Sequence, residues 1–397
     1  MGIFDKCSDS KIVNSEKVIR ALDIYPFFIP LQSETDSTVM IDGKKKIMLG
    51  SNNYAGLTND PRVKEAAIRA IEKYGSGCTG SRLMNGTLDI HIELEEKLAK
   101  AMQKEAALVY STGFQTNLGT ISTLVGRDDC VIIDRADHAS IVDACRLSFG
   151  DVLRFKHNDM DDLERMLTSG KKYKGRLVVV DGIFSMEGDI AKLPEIVSLC
   201  RQYDVQLMVD DAHSIGVLGK NGMGTAEHFN LVDNVDIIMG TFSKSFASIG
   251  GFIAAKKHVV DYVKHTSRAF LFSASIPPAA AATALTTLDI IQNEPERRTR
   301  LWEITQYMKK AFTDMGYDTG MSASPIIPVI IGEDIATFTF WKAIYEKGVF
   351  TNPVISPAVP EGTARLRTSY MATHKDDELN RALEIFYKTG KEFGIVR

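Results

Sequence analysis

Lys244 sits in a loop of small residues, Gly240-Thr241-Phe242-Ser243-Lys244-Ser245, just after the apolar run Val235 to Met239 and just before the pair Gly250-Gly251. An apolar run that ends in small residues reads as a buried strand followed by a loop. A lysine held there in a dry pocket has a lowered ammonium pKa, and its amine becomes a nucleophile able to form a Schiff base. Lysines after strands are ordinarily solvated, so the assignment depends on what stands beside this one.

The same punctuation recurs upstream. Ser111-Thr112-Gly113-Phe114-Gln115 follows the apolar run Ala106 to Tyr110 and opens a helix, whose free N–H groups and positive dipole end suit a phosphate. Asp137-His138 follows Cys130 to Asp134. Asp181-Gly182-Ile183-Phe184-Ser185-Met186-Glu187-Gly188 ends the run that begins at Leu177, and Asp210-Asp211-Ala212-His213-Ser214 ends the run from Gln206.

A phosphate seat, a carboxylate, histidines and a lysine at successive strand ends point to pyridoxal phosphate. That cofactor needs an anchor for its phosphate, a carboxylate at its pyridine nitrogen and a lysine for its aldehyde. Asp210 is the expected pyridine partner, although alone it would read as a turn cap. His213 could bond the phenolic oxygen and His138 could stack on the ring. Arg367, in Arg365-Leu366-Arg367-Thr368-Ser369, could clamp a carboxylate with two parallel hydrogen bonds. Asn53 could cap the turn that follows it or reach into a site. The glycine-rich stretch Gly75 to Arg82 is a second, weaker phosphate candidate.

These residues need a scaffold that brings strand ends together. Seven strand candidates, Ala106–Tyr110, Cys130–Asp134, Val152–Phe155, Leu177–Asp181, Gln206–Asp210, Ile237–Gly240 and Gly251–Ala255, mostly alternate with helical stretches. Alternation predicts a mostly parallel sheet sandwiched by helices, with ligands bound beyond the carboxyl ends of its strands. Residues 1–55 read as an N-terminal arm with a hairpin turning at Asp42-Gly43 and an apolar segment, Tyr25 to Pro30, expected as a core plug. Residues 56–290 read as the large domain and 291–397 as a smaller α+β domain. Asp89 to Met102 reads as a helix with an exposed, charge-paired face.

Composition narrows the classes further. The chain has 397 residues, 44% apolar and 25% charged, with a net charge of -4. That balance gives no broad basic field, which argues against nucleic acid as a partner. Five widely spaced cysteines without a C-x-x-C pair argue against a disulfide framework or a zinc site and point to a reducing cytoplasm. Met1 to Arg20 shows no apolar signal core, and no run of about 18 apolar residues marks a transmembrane span. Peripheral contact with a membrane stays open.

The lysine loop, the Val209-Asp210-Asp211-Ala212-His213-Ser214 stretch, the Asp181 to Gly188 stretch and Ser111 to Gln115 together resemble the α-oxoamine synthase family, in order and across nearly the whole chain. These are fold-type I pyridoxal phosphate enzymes that condense an amino acid with an acyl-CoA. Ala212-His213-Ser214, the Phe-Ser-Lys-Ser form of the lysine loop and Ser81 to Leu88 look most like the members that use L-serine and a long-chain acyl-CoA. The resemblance implies that Lys244, His138 and His213 are catalytic, and that Asp210 pairs with the pyridine nitrogen. It also implies that Gly113, Phe114, Thr241 and Ser243 seat the phosphate, that Ser185 lies near the phenolic oxygen, and that Asn53 and Arg367 meet the substrate. The family works as a homodimer with a shared site, so Ser273 and Ser275 are expected to serve the neighbour's phosphate. Sister synthases using glycine or alanine, and a non-catalytic partner subunit, are the alternatives.

Overall fold

The computed structural model describes residues 2–396; Met1 and Arg397 lie outside the described residues. Its centre is a seven-stranded sheet of β1 (Ala106–Tyr110), β2 (Cys130–Asp134), β3 (Asp151–Phe155), β4 (Arg176–Asp181), β5 (Gln206–Asp210), β6 (Ile237–Thr241) and β7 (Gly251–Ala255), in the order β1-β7-β6-β5-β4-β2-β3. β7 runs antiparallel to both of its neighbours, and the other pairs are parallel. Successive side chains point to opposite faces, so every strand except the largely exposed edge strand β3 feeds two cores. Ile132, Val178 and Val180 enter one apolar cluster, while Val131, Ile133, Leu177 and Val179 enter another. Burial on both faces explains why these strands read as continuous apolar runs rather than alternating ones.

The carboxyl ends of β2, β4, β5 and β6 point the same way, which gathers the loops that begin at Arg135, Gly182, Asp211 and Phe242. A smaller lobe packs the strands Ile326–Gly332, Ala364–Ser369 and Asn352–Val354 against the helices Pro295–Met315, Asp334–Glu346 and Asp376–Glu392. Its core includes Phe312, Tyr317, Phe340, Trp341 and Phe386. The hairpin Thr38–Ile41 and Lys44–Met48 turns at Asp42 and Gly43, both with positive φ, and its second strand pairs in parallel with Val349–Phe350.

The structure adds to the sequence reading at three points. The helix Asp334–Glu346 was not apparent because Thr, Phe, Trp, Tyr and Ile dominate its sequence and favour strands; burial of Thr337, Phe338, Phe340, Trp341 and Ile344 on one side overrides that preference. The Tyr25 to Pro30 segment plugs only in part: Tyr25 packs against the small cluster of Ile19, Ile24 and Phe338 and the Phe27 ring meets Phe338 edge-on, whereas Phe28 is 94% exposed. The helix Asp89–Ala101 keeps an exposed, charge-paired face, with Lys97 3.4 Å from Glu93, while His91, Leu94, Glu95 and Leu98 are buried.

Glu95 carries much of that difference. Its two oxygens accept from Arg82 Nη1 and Nη2 at 2.8 and 3.0 Å, and Oε1 also accepts from the Val109 N–H at 3.0 Å. The pair ties the helix to β1 and anchors the Gly75 to Arg82 stretch. Removing one partner of a buried pair strands the other charge, so Glu95→Ala is expected to lower the unfolding free energy by about 3–5 kcal/mol. Urea unfolding followed by circular dichroism measures it, and a loss below about 1 kcal/mol would contradict a buried, coupled pair.

Candidate active site

A cavity of about 330 Å³ opens at the gathered strand ends, lined among others by Gly113, Phe114, His138, Asp210, His213, Thr241, Ser243 and Lys244. Eight residues singled out in the sequence, from four separate segments, therefore meet in one place.

One end is built for an anion. Thr112 caps the helix Gly113–Leu124 by accepting from the Gln115 N–H at 3.1 Å, which leaves the amides of Gly113 and Phe114 as free first-turn donors. The hydroxyls of Thr241 and Ser243 stand 2.9 Å apart beside them. Glycine is required at Gly113: a methyl group there would lie 2.5 Å from Thr241 Oγ1 and 2.9 Å from its Cβ. The helix terminus thus presses against the end of β6, and its amides face the cavity where a phosphate would sit.

The floor holds carboxylates. Asp181 and Asp210 are cross-strand neighbours at the ends of β4 and β5. Asp210 Oδ1 accepts from the Ala212 N–H at 2.9 Å and Oδ2 accepts from Asn117 Nδ2 at 2.7 Å. Asp181 Oδ2 accepts from the His138 N–H at 3.1 Å, and Asp137 accepts from the N–H groups of Asp134 and Asp181. Burial, and then the neighbouring carboxylates, push both Asp137 and Asp181 well above the usual carboxylate range. Lys244 is half-buried at this floor. Desolvation draws its pKa down to about 8 against the opposing pull of Asp210 and Asp181.

Two imidazoles complete the walls. His213 is buried, and its Nδ1 lies 2.8 Å from the Tyr54 hydroxyl. Desolvation, with Lys244, Arg367 and His138 nearby, holds its pKa well below the ordinary histidine value, so it is neutral at pH 7. His138 is exposed to the cavity and caps the helix Ala139–Leu147, its Nδ1 accepting from the Ser140 N–H at 3.2 Å. Its pKa is also lowered, by desolvation first. An open imidazole on the wall suits stacking on a flat ring.

The remaining expected residues lie elsewhere. Ser185 lines an adjoining cavity of about 810 Å³ that shares His138 with the first and is closed on another side by Ser356 to Glu361. Arg367 is buried, donating from Nε to the Ser185 carbonyl at 2.6 Å and from Nη2 to Asn52 Oδ1 at 3.0 Å. Asn53 closes its own turn: Oδ1 accepts from the Leu57 N–H and Nδ2 donates to Thr58 Oγ1. Ser273 accepts from Gln115 Nε2 at 3.1 Å and is not on the cavity wall. The Gly75 to Arg82 stretch stays away from the cavity, with Ser81 bridged to Ala274 and Arg82 held by Glu95.

Sequence reasoning passed over Asn117, Ser140, Asn52 and Tyr54. The arrangement, an anion seat, a buried carboxylate, a depressed lysine and a ring-facing histidine, fits pyridoxal phosphate in its chemistry and in the close approach that Gly113 allows.

Known proteins share this frame. Residues 44–386 match the family model described as aminotransferase class I and II. The serine palmitoyltransferase of Sphingobacterium spiritivorum is 52% identical over 379 residues, covering 96% of this chain and 95% of that protein. The 8-amino-7-oxononanoate synthase of Thermoanaerobacter pseudethanolicus is 44% identical over 379 residues, covering 95% and 96%. A solved serine palmitoyltransferase from S. paucimobilis, with a bound PLP-myriocin aldimine, superposes with a TM-score of 0.97 at 34% identity, covering all of both chains.

Proposed function

The chain belongs to the aminotransferase class I and II family, and from that premise we propose that it condenses L-serine with a long-chain acyl-CoA such as palmitoyl-CoA, releasing CoA and carbon dioxide. The product is 3-ketodihydrosphingosine, at the start of sphingolipid synthesis. The observation that carries this reading is the meeting of Lys244, Asp210, His138 and His213 around one cavity in a chain half identical to a serine palmitoyltransferase.

Pyridoxal phosphate, when bound, supplies an electron sink for negative charge on the α-carbon of the amino acid. Gly113 and Phe114, with Thr241 and Ser243, would hold its phosphate, and Asp210 would hold the proton on its ring nitrogen. His213, neutral, bonds the phenolic oxygen, with Ser185 nearby. Lys244 would hold the cofactor through its aldehyde carbon, and its amine, with a pKa drawn down to about 8, is the group placed to take the α-proton from serine and return one. The α-carbon then attacks the thioester carbonyl, the CoA thiolate leaves, and the carboxylate departs as carbon dioxide. His138 and Arg367 orient that carboxylate, which decides which α-bond is aligned to break. Asn52, the neighbour of Asn53, accepts from Arg367 Nη2 and so helps to hold that guanidinium.

A second copy of the chain is part of this reading. Leu83, Met84, Phe114, Ile249 and Phe272 are 44–77% exposed, and Phe114 and Ile249 also line the cavity. A homodimer would cover such residues and bring the segment of Ser273 and Ser275 towards the neighbour's phosphate. All five cysteines are unpaired, in keeping with a cytoplasmic setting. Among the described residues, no helix is long and apolar enough to cross a membrane.

Amino-acid preference tests the assignment. With palmitoyl-CoA, L-serine is expected to release CoA at least about 100-fold faster, per kcat/KM, than glycine or L-alanine, because a site that bonds the serine hydroxyl rejects analogues without one. Faster turnover of L-alanine with pimeloyl-CoA would assign the chain to the sister synthases instead. No turnover with any pair would favour a non-catalytic subunit.

A further inference from the structure

Asn117 is only 1% exposed and stands within the helix Gly113–Leu124. Its Nδ2 lies 2.7 Å from Asp210 Oδ2 and 2.9 Å from Ser140 Oγ. A carboxylate only accepts, so Nδ2 must face Asp210, and both of its N–H groups are used. Asn117 Oδ1 is left buried with no hydrogen-bond partner among the described residues. A stranded acceptor is destabilising, so the orientation is held for what Nδ2 does.

Ser140 continues the connection. Its Oγ receives from Asn117 and therefore turns its own O–H to His138 Nδ1, 2.8 Å away. The Ser140 N–H points at the same nitrogen. With Nδ1 accepting twice, the proton of the neutral imidazole resides on Nε2. Side chains of Asp210, Asn117, Ser140 and His138, from three separate chain segments, thus form one line of hydrogen bonds along the cavity.

We propose that Asn117 and Ser140 are positioning residues that hold the Asp210 carboxylate and the His138 imidazole in one fixed mutual orientation, so that His138 presents Nε2–H to the bound amino acid. Asn117 stops the carboxylate turning about its Cβ–Cγ bond, and Ser140 fixes the plane of the imidazole. What the cavity binds rests on the functional reading above; the line of bonds does not.

The two effects separate kinetically. Asn117→Ala is expected to raise the dissociation constant for pyridoxal phosphate about tenfold and to lower kcat about tenfold at saturating cofactor, with the KM for L-serine within about twofold. Ser140→Ala is expected to raise the KM for L-serine about tenfold and to leave cofactor affinity within about threefold. Ser140→Thr, which keeps the hydroxyl, should restore most of that loss, and the double variant should lose less than the product of the single losses. Ser140→Thr as impaired as Ser140→Ala, independent multiplication, or unchanged kinetics in both alanine variants would overturn the proposal. If Asn117→Ala does not fold, the Ser140 pair decides alone. Imidazole ¹⁵N spectra of the cofactor-free protein keep the two readings apart: His138 is expected as the Nε2–H tautomer, and an Nδ1–H tautomer overturns the positioning role even in an active enzyme. Wild-type protein that binds no pyridoxal phosphate overturns the functional reading instead.

Discussion

Lys244→Ala should reduce turnover of L-serine and palmitoyl-CoA by at least about a thousandfold, since one side chain provides both the covalent link to the cofactor and the proton transfer. The loss has two independent signatures. Borohydride reduction of the wild-type holoprotein should leave the cofactor's mass on the peptide containing Lys244, and the variant should carry none. Reactivity of the amine should also be displaced in pH. Burial lowers the pKa of Lys244 to about 8, so its ammonium gives up the proton earlier than an ordinary lysine near 10.4. In cofactor-free protein, modification of Lys244 by an amine reagent should therefore rise through pH 8. A rise only above about pH 10, or a reducible link on another residue, would remove Lys244 from this role.

The second large effect lies at Asp210. Asp210→Asn preserves shape and removes charge, so the phosphate seat at Gly113 and Phe114 should still bind the cofactor while kcat falls about 10²–10³-fold. The loss reflects the ring nitrogen, which an amide cannot hold protonated. The same change should move Lys244. Asp210 raises the lysine's pKa, so removing its charge should send the amine reactivity profile to still lower pH. Near-normal kcat in Asp210→Asn, or a lysine profile shifted upward, would contradict the electrostatics of the floor.

Much of this site could be read from the chain because its residues announce themselves by position. Lys244, Asp210 and His213 each follow a run of buried strand residues, and in a sheet covered on both faces such runs have no other reading than the interior. Six of the seven strands were visible for the same reason; the edge strand Asp151–Phe155 is mostly exposed. Asn117 was not, because a neutral amide inside a helix has no periodic or charge signal, and its importance comes from Asp210, 93 residues away. Asn52 and Asn53 show a finer limit: both are loop asparagines, and only the turn geometry decides that Asn53 caps Thr58 while Asn52 meets Arg367. The Gly75 to Arg82 stretch shows the reverse error, in which glycine content suggested a phosphate loop although the chain there is held by a buried ion pair and a bridge to Ala274. The domain division at residues 55 and 290 remains a proposal, and the pairing of Lys44–Met48 with Val349–Phe350 shows that the arm and the small lobe share a sheet.

That shared sheet bears on the order of folding. Lys44–Met48 leaves any translating machinery early, yet its parallel partner, Val349–Phe350, follows some 300 residues later. Until then the hairpin presents an unpaired edge, and its apolar residues Ile47 and Met48 lack their final cover. Arg367 repeats the pattern from the other end, since its hydrogen bonds reach back to Ser185 and Asn52. The central sheet can close from local and middle-range pairings, whereas the substrate end of the cavity waits for the last tenth of the chain to dock. Nascent chains that stop short of Arg367 would therefore have the strand ends around Lys244 without the bonds that Arg367 makes to Ser185 and Asn52, and an exposed strand edge open to association with other chains.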